Sequence, residues 1–213
     1  MNPRTLRSTV AGPAGDIECA IDRPQDSPHN GPSRGTAVLC HPHPLLGGTL
    51  DNKVVLTLAR AFVQLGYTSV RFNFRGVGAS QGQWDGGRGE VDDALAVIDA
   101  QRAAALPLVL GGFSFGAYVA SRAAARLGAG QPAERLVLVG SAVLSFPLAA
   151  VPADTLTVHG EHDEVVPLQA VFDWARPQSL PVVVVPGAGH FFHGQLTLLK
   201  NIVTGAWHTR AIT

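Results

Sequence analysis

Short apolar runs separated by segments of helical spacing recur through most of this chain, and nothing else in the sequence narrows its possible folds as much. GTAVLC at 35–40 reads as a buried strand, and DNKVVLTLARAFVQLG at 51–66 has the spacing of a helix, with Asp51 or Asn52 as its cap and Gly66 as its stop. The same alternation follows in TSVRFNF (68–74), EVDDALAVIDAQRAA (90–104), PLVLGGF (107–113) and FGAYVASRAAARLG (115–128). It continues through RLVLVGS (135–141), TLTVHG (155–160), a helical piece near 167–175, VVVVPG (182–187) and a helix from about Gln195 to Thr209. Strands this apolar have no solvated face. Alternating with amphipathic helices, they imply an α/β fold whose mostly parallel sheet is covered on both sides.

Before that pattern begins, residues 1–34 are rich in Pro, Gly, Ser and Asp, with one alternating run, DIECAID, that reads as a strand near a sheet edge. The expectation is a single domain over 1–213, with 1–34 as an irregular or edge-strand segment. Sixteen basic and sixteen acidic side chains leave no net field to draw nucleic acid or an anionic membrane, so a small-molecule site is expected. No apolar stretch reaches the roughly 18–20 residues needed to cross a bilayer. The opening MNPRTLRSTVAGPAGD lacks the apolar core of a secretory signal, and Cys19 and Cys40 do not make a disulfide framework. A cytoplasmic location is the expectation, as monomer or homodimer.

In an open α/β sheet, ligands bind outside the carboxyl ends of the strands. The polar chemistry collects there: HPHPLLGG, RGVGASQG, SFG, EHD and GAGHFFHG each follow an apolar run. Ser114 stands between Gly112 and Gly116 in GGFSFG, at a strand-to-helix junction. A serine hydroxyl is a poor nucleophile until a base takes its proton, so a catalytic serine needs exposure beside that base. A sharp turn with glycines two positions either side provides the exposure, and the N–H of Phe115 at the helix start is a donor for an oxyanion. Read blandly, the segment is a glycine-rich loop with a capping serine.

Downstream lie an acid and a base, in the order that follows this type of turn. Asp163 leaves the strand TLTVHG, with Glu161 and Glu164 as alternatives. His190 sits in a glycine loop after VVVVPG, with His193 as its competitor. A second oxyanion donor is expected from HPHPLLGG. Pro42 and Pro44 have no N–H, which leaves His43, favoured narrowly over Leu45.

Taken together, CHPHPLLGGTLDNKVV, RFNFRGVGASQG, GGFSFG, HGEHDEVVP and GAGHFF resemble the α/β-hydrolase superfamily, and within it small lidless bacterial serine hydrolases. The resemblance runs from about residue 35 to the C-terminus. It implies an open sheet of about seven or eight strands, acyl transfer to serine and then to water, and no cofactor. The segment 141–154 is too short for a cap domain, so an open site taking short acyl esters or thioesters is expected. Leu45, Leu46, Phe115, Val143, Phe146, Val165, Phe191 and Phe192 are candidates for an apolar pocket. Arg75 is expected beside the site, paired with Glu90 or Asp92.

Two rival functions remain open on the sequence. His41, His43, His159, His162, Asp163, His190 and His193 all fall at strand ends, and imidazole with carboxylate suits zinc in a metal-dependent hydrolase. A non-catalytic binding module on the same scaffold is the other.

Overall fold

Eight strands form one sheet in the computed structural model, which describes residues 5–24 and 33–208. In chain order the strands are β1 (Leu6–Gly12), β2 (Gly15–Asp22), β3 (Thr36–Cys40), β4 (Thr68–Phe72), β5 (Leu108–Phe113), β6 (Arg135–Val139), β7 (Leu156–Gly160) and β8 (Val182–Val185). The helices are α1 (Lys53–Gln64), α2 (Arg88–Gln101), α3 (Phe115–Leu127), α4 (Leu168–Ala175) and α5 (Leu196–His208). The sheet order is β1-β2-β4-β3-β5-β6-β7-β8; β1 and β2 pair antiparallel, as do β2 and β4, and all other pairs are parallel.

The central apolar runs are strands because both of their faces are covered, whereas β8, at the sheet edge, leaves Val182, Val183 and Val184 only half-buried despite its wholly apolar sequence. In β3, Ala37 and Leu39 pack on the layer that contains α1 and α5, whereas Val38 and Cys40 pack on the opposite layer with α2 and α3. β5 repeats the arrangement with Val109 and Phe113 on one side and Leu108 and Leu110 on the other. Period-2 alternation between two apolar layers leaves no polar position for a sequence to display. Asn52, of the two candidate caps, closes the start of α1: its Oδ1 accepts from Val54 N at 2.9 Å and Val55 N at 3.4 Å. Asp51 instead pairs with Arg7 and Arg71.

DIECAID is a strand, β2, but it has a neighbour: Leu6–Gly12 forms the edge strand β1, with a seven-residue ladder onto β2. β1 carries few apolar residues, and Val10 is its buried one. Residues 25–32 of the irregular N-terminal segment, and Thr209 at the end of the last expected helix, lie outside the described residues. No cap domain interrupts the fold: β6 runs to β7 through 140–155 without a helix or strand. No helix among the described residues is long and apolar enough to cross a membrane.

Candidate active site

Ser114 occupies a turn that only a crowded backbone can produce. Its φ is +56° and its ψ −116°, a left-hand conformation that a side-chain-bearing residue adopts at a cost of about 1–3 kcal/mol. Two contacts explain why glycines flank it. A β-carbon on Gly112 would lie 2.0 Å from the carbonyl oxygen of Gly116, and one on Gly116 would lie 2.2 Å from that of Cys40. The strand, the helix and the end of β3 therefore meet without intervening atoms. Ser114 N–H donates to Val139 O at 2.9 Å, which anchors the turn to β6.

His190 and Asp163, from loops after β8 and β7, complete a line. Asp163 Oδ2 lies 2.7 Å from His190 Nδ1, and His190 Nε2 lies 3.1 Å from Ser114 Oγ. A carboxylate only accepts, so Nδ1 carries the imidazole proton and Nε2 is left to accept from the serine hydroxyl. Of the two histidine candidates His190 is the one beside the serine; His193 is exposed and touches the outer ring of Phe191. Asp163 is likewise the acid that meets the imidazole. Glu161 accepts from Gly187 N–H, and Glu164 accepts from the backbone N–H of His190 at 3.2 Å.

Asp163 is fixed by more than its histidine. Its Oδ1 accepts from Val165 N at 2.9 Å and Val166 N at 2.7 Å. Burial pushes its carboxyl toward a higher pKa, but the hydrogen bonds from His190 and Val166 and the neighbouring imidazoles outweigh that and hold it below the ordinary carboxylate value. Behind it lies His159, fully buried, whose Nε2 donates to Val166 O at 2.8 Å and stands 3.4 Å from Asp163 Oδ2. Burial lowers the His159 pKa. His159 Nδ1 has no hydrogen-bond partner among the described residues.

The HPHP loop has its own strut. His41 is fully buried; its Nδ1 donates to Pro42 O at 2.7 Å and its Nε2 accepts from Phe74 N at 3.1 Å, tying the end of β3 to the end of β4. Burial drives its pKa down to about 4. The N–H of Leu45 is taken by His43 Nδ1 at 3.2 Å, within a short 3-10 turn over Pro44–Leu46. The amides of His43 and Phe115 have no acceptor in the hydrogen-bond network of the described residues. His41 and His159 each use ring atoms to hold a loop, and among the described residues no three His, Cys, Asp or Glu side chains gather as a metal-ligand group.

The pocket candidates divide. Leu45, Leu46, Val165 and Phe191 are exposed at the strand ends, whereas Phe146 is half-buried in an aromatic cluster with His43, Phe115 and Tyr118. Phe115 and Phe192 are buried in the core, and Val143 is half-buried after β6. Trp84 belongs to the same cluster, 4.6 Å from His43 and 5.1 Å from Phe115 between ring centroids. Sequence reasoning passed over it; the available signal was a lone tryptophan in an otherwise polar, glycine-rich loop. Arg75 is paired, but with neither expected acid: its Nε and Nη2 bind Asp93 at 3.0 and 2.8 Å. Asp93 faces inward from α2, while Asp92, one residue earlier, points to solvent and meets Arg126; Glu90 turns back on the N-terminus of its own helix, accepting from Gly87 N–H.

Comparison with known proteins places this geometry among relatives. A family model described as serine aminopeptidase, S33 matches residues 32–149. An uncharacterised protein of Rickettsia prowazekii (strain Madrid E) is 35% identical over 199 residues, covering 85% of this chain and 79% of that protein. A lidless α/β serine hydrolase from Xanthomonas campestris superposes with a TM-score of 0.87 at 39% identity, covering 98% of this chain and 96% of its own. An α/β serine hydrolase homologue from Coxiella burnetii does so with a TM-score of 0.80, also at 39% identity, covering 98% and 97%.

Proposed function

Because the chain belongs to the α/β-hydrolase superfamily, in the family whose model is described as serine aminopeptidase, S33, we propose that it is a serine hydrolase of short-chain carboxylic esters or thioesters. The reading rests on one observation above the others: the unbroken line from Asp163 through His190 to Ser114, at 2.7 and 3.1 Å.

In this mechanism His190 Nε2 takes the Ser114 proton as Oγ attacks the substrate carbonyl carbon. The carbonyl π electrons move to oxygen, and the oxyanion lies against the N–H of Phe115 and of His43. Neither amide has an acceptor among the described residues, whereas Leu45 N–H is already committed to His43 Nδ1. Asp163 holds the Nδ1–H tautomer and stabilises the imidazolium that forms. Collapse expels the alcohol or thiol, which receives the proton from His190 Nε2. Water then attacks the acyl carbon with His190 again as base, releasing acid and restoring Ser114.

The β6–β7 connection, 140–155, holds no helix or strand and so no cap domain, which supports small, freely diffusing substrates, although Ser114 itself is buried rather than openly exposed. The test is 4-nitrophenyl acetate hydrolysis: the wild type should turn it over, and Ser114→Ala should lose several orders of magnitude in kcat. An unaltered rate in that variant refutes the nucleophile.

A further inference from the structure

We propose that the cleft between the HPHP loop and the glycine-rich loop after β4 is a subsite for an uncharged, apolar limb of the substrate. The proposal rests on the Ser114 reading and deepens it.

Pro44, Leu45, Arg75, Val77, Gln83 and Trp84 line this cleft, which has a volume of about 350 Å3. That lies within the range of about 300–1,000 Å3 typical of small-molecule sites. The cleft adjoins His43, whose amide is one of the proposed oxyanion donors, through Pro44, Leu45 and the Trp84 ring. Leu45 follows His43 by two residues, and the Trp84 ring packs on both His43 and Phe115, whose amides are the proposed oxyanion donors. In the proposed arrangement the limb of a carbonyl held at the His43 amide runs past Leu45 and the Trp84 ring into this cleft.

Two features set the chemistry of the occupant. The apolar walls are partly bare: Leu45 is 67% exposed and Trp84 only half-buried. Arg75 is the cation of the cleft, and its charge is already spent. Its guanidinium binds Asp93 through Nε and Nη2, and its Nη1 lies 3.6 Å from Asp85. Among the described residues lining the cleft an anionic limb meets no free cation, so an alkyl or aryl group fits and a carboxylate or phosphate does not.

The far wall is rigid because the N-terminal hairpin holds it. Gln81 N donates to Asp16 O at 2.8 Å, and Asp16 N donates to Gln81 Oε1 at 2.9 Å. Glu18 N donates to Ser80 Oγ at 2.9 Å, and Glu18 Oε2 accepts from Ala79 N at 3.0 Å. Four bonds from β2 thus fix a loop that its own glycines would leave loose. Walls set before binding lower the ordering cost of capturing a limb. The hairpin, which supplies no residue to the Asp163–His190–Ser114 line, acquires a function as a buttress of this subsite.

Either limb of an ester can carry such a group, so the test runs two series: 4-nitrophenyl esters from acetate to decanoate, and acetate esters of alcohols from ethanol to octanol. The expected wild-type result is a rise in kcat/KM of about tenfold or more along one series. Leu45→Asp puts a charge into the cleft and Gln83→Trp fills it; both positions are exposed, and both changes should collapse the long-to-short ratio in that series about tenfold. The ratio cancels any general loss of activity. A flat wild-type profile in both series, or unchanged ratios in both variants, overturns the subsite while Ser114-dependent hydrolysis remains. Absence of any Ser114-dependent hydrolysis overturns the underlying reading and the subsite with it.

Discussion

Replacing Asp163 with asparagine should invert the imidazole rather than merely weaken it. In the native site Oδ1 takes the N–H groups of Val165 and Val166, so this arm of the side chain must be an acceptor. An asparagine keeps those two bonds only by turning its carbonyl toward them, which aims its NH2 group at His190 Nδ1, now 2.7 Å from Asp163 Oδ2. Two donors cannot share one bond. The imidazole proton must move to Nε2, where it faces Ser114 Oγ across 3.1 Å, and the serine loses its base. The corresponding change in a serine protease triad costs about 10^4 in kcat, or about 5.5 kcal/mol at 1.36 kcal/mol per tenfold. Asp163→Asn should therefore lose about 10^3–10^4 in kcat toward 4-nitrophenyl acetate with KM within a few-fold of wild type. Glu164→Gln, which keeps an acceptor for the His190 amide, should retain most of the activity. A kcat within tenfold of wild type for Asp163→Asn, with the protein folded by circular dichroism, refutes the reasoning; so does an equal loss in Glu164→Gln.

Two further outcomes follow from the same geometry. His41 has a folded-state pKa of about 4 against an ordinary 6.5, so its contribution is fully present above pH 6.5 and is lost as pH falls toward 4. Urea titrations should show the stability gap between wild type and His41→Asn narrowing by about 2–3 kcal/mol from pH 7 to 4.5, and a constant gap would refute this strut. Gly116→Ala puts a β-carbon 2.2 Å from Cys40 O, and the shift it forces on the turn should lower kcat about 100-fold; wild-type kcat and melting temperature together would contradict the crowding.

The central layers were legible because physical necessity wrote them plainly. Strands covered on both faces, such as β3 and β5, are apolar at nearly every position, Thr36 being the buried polar residue of β3, and the helices beside them are amphipathic. β1 was hidden because an edge strand with one buried valine needs no such pattern. That Ser114, Asp163 and His190 would converge was readable because the glycine spacing reflects steric demands of the turn and the chain order follows the pattern that accompanies such turns. The roles of their neighbours were not. Whether an acid on α2 faces inward at 93 or outward at 92 depends on a rotation of about 100° per residue, which spacing alone sets only loosely. His41 and His159 carried the signal of metal ligands and turned out to be loop struts, since a histidine's job is set by which carbonyl or amide lies nearby. Trp84 gained its place only through the fold of a loop that β2 holds.

The most direct measurement is the mass of the protein in a rapidly quenched reaction with 4-nitrophenyl acetate. The account predicts one acetyl group per chain, carried on the peptide containing Ser114 and absent from Ser114→Ala. An enzyme that hydrolyses the ester with no acetyl adduct at any quench time, or with the adduct on another residue, contradicts it.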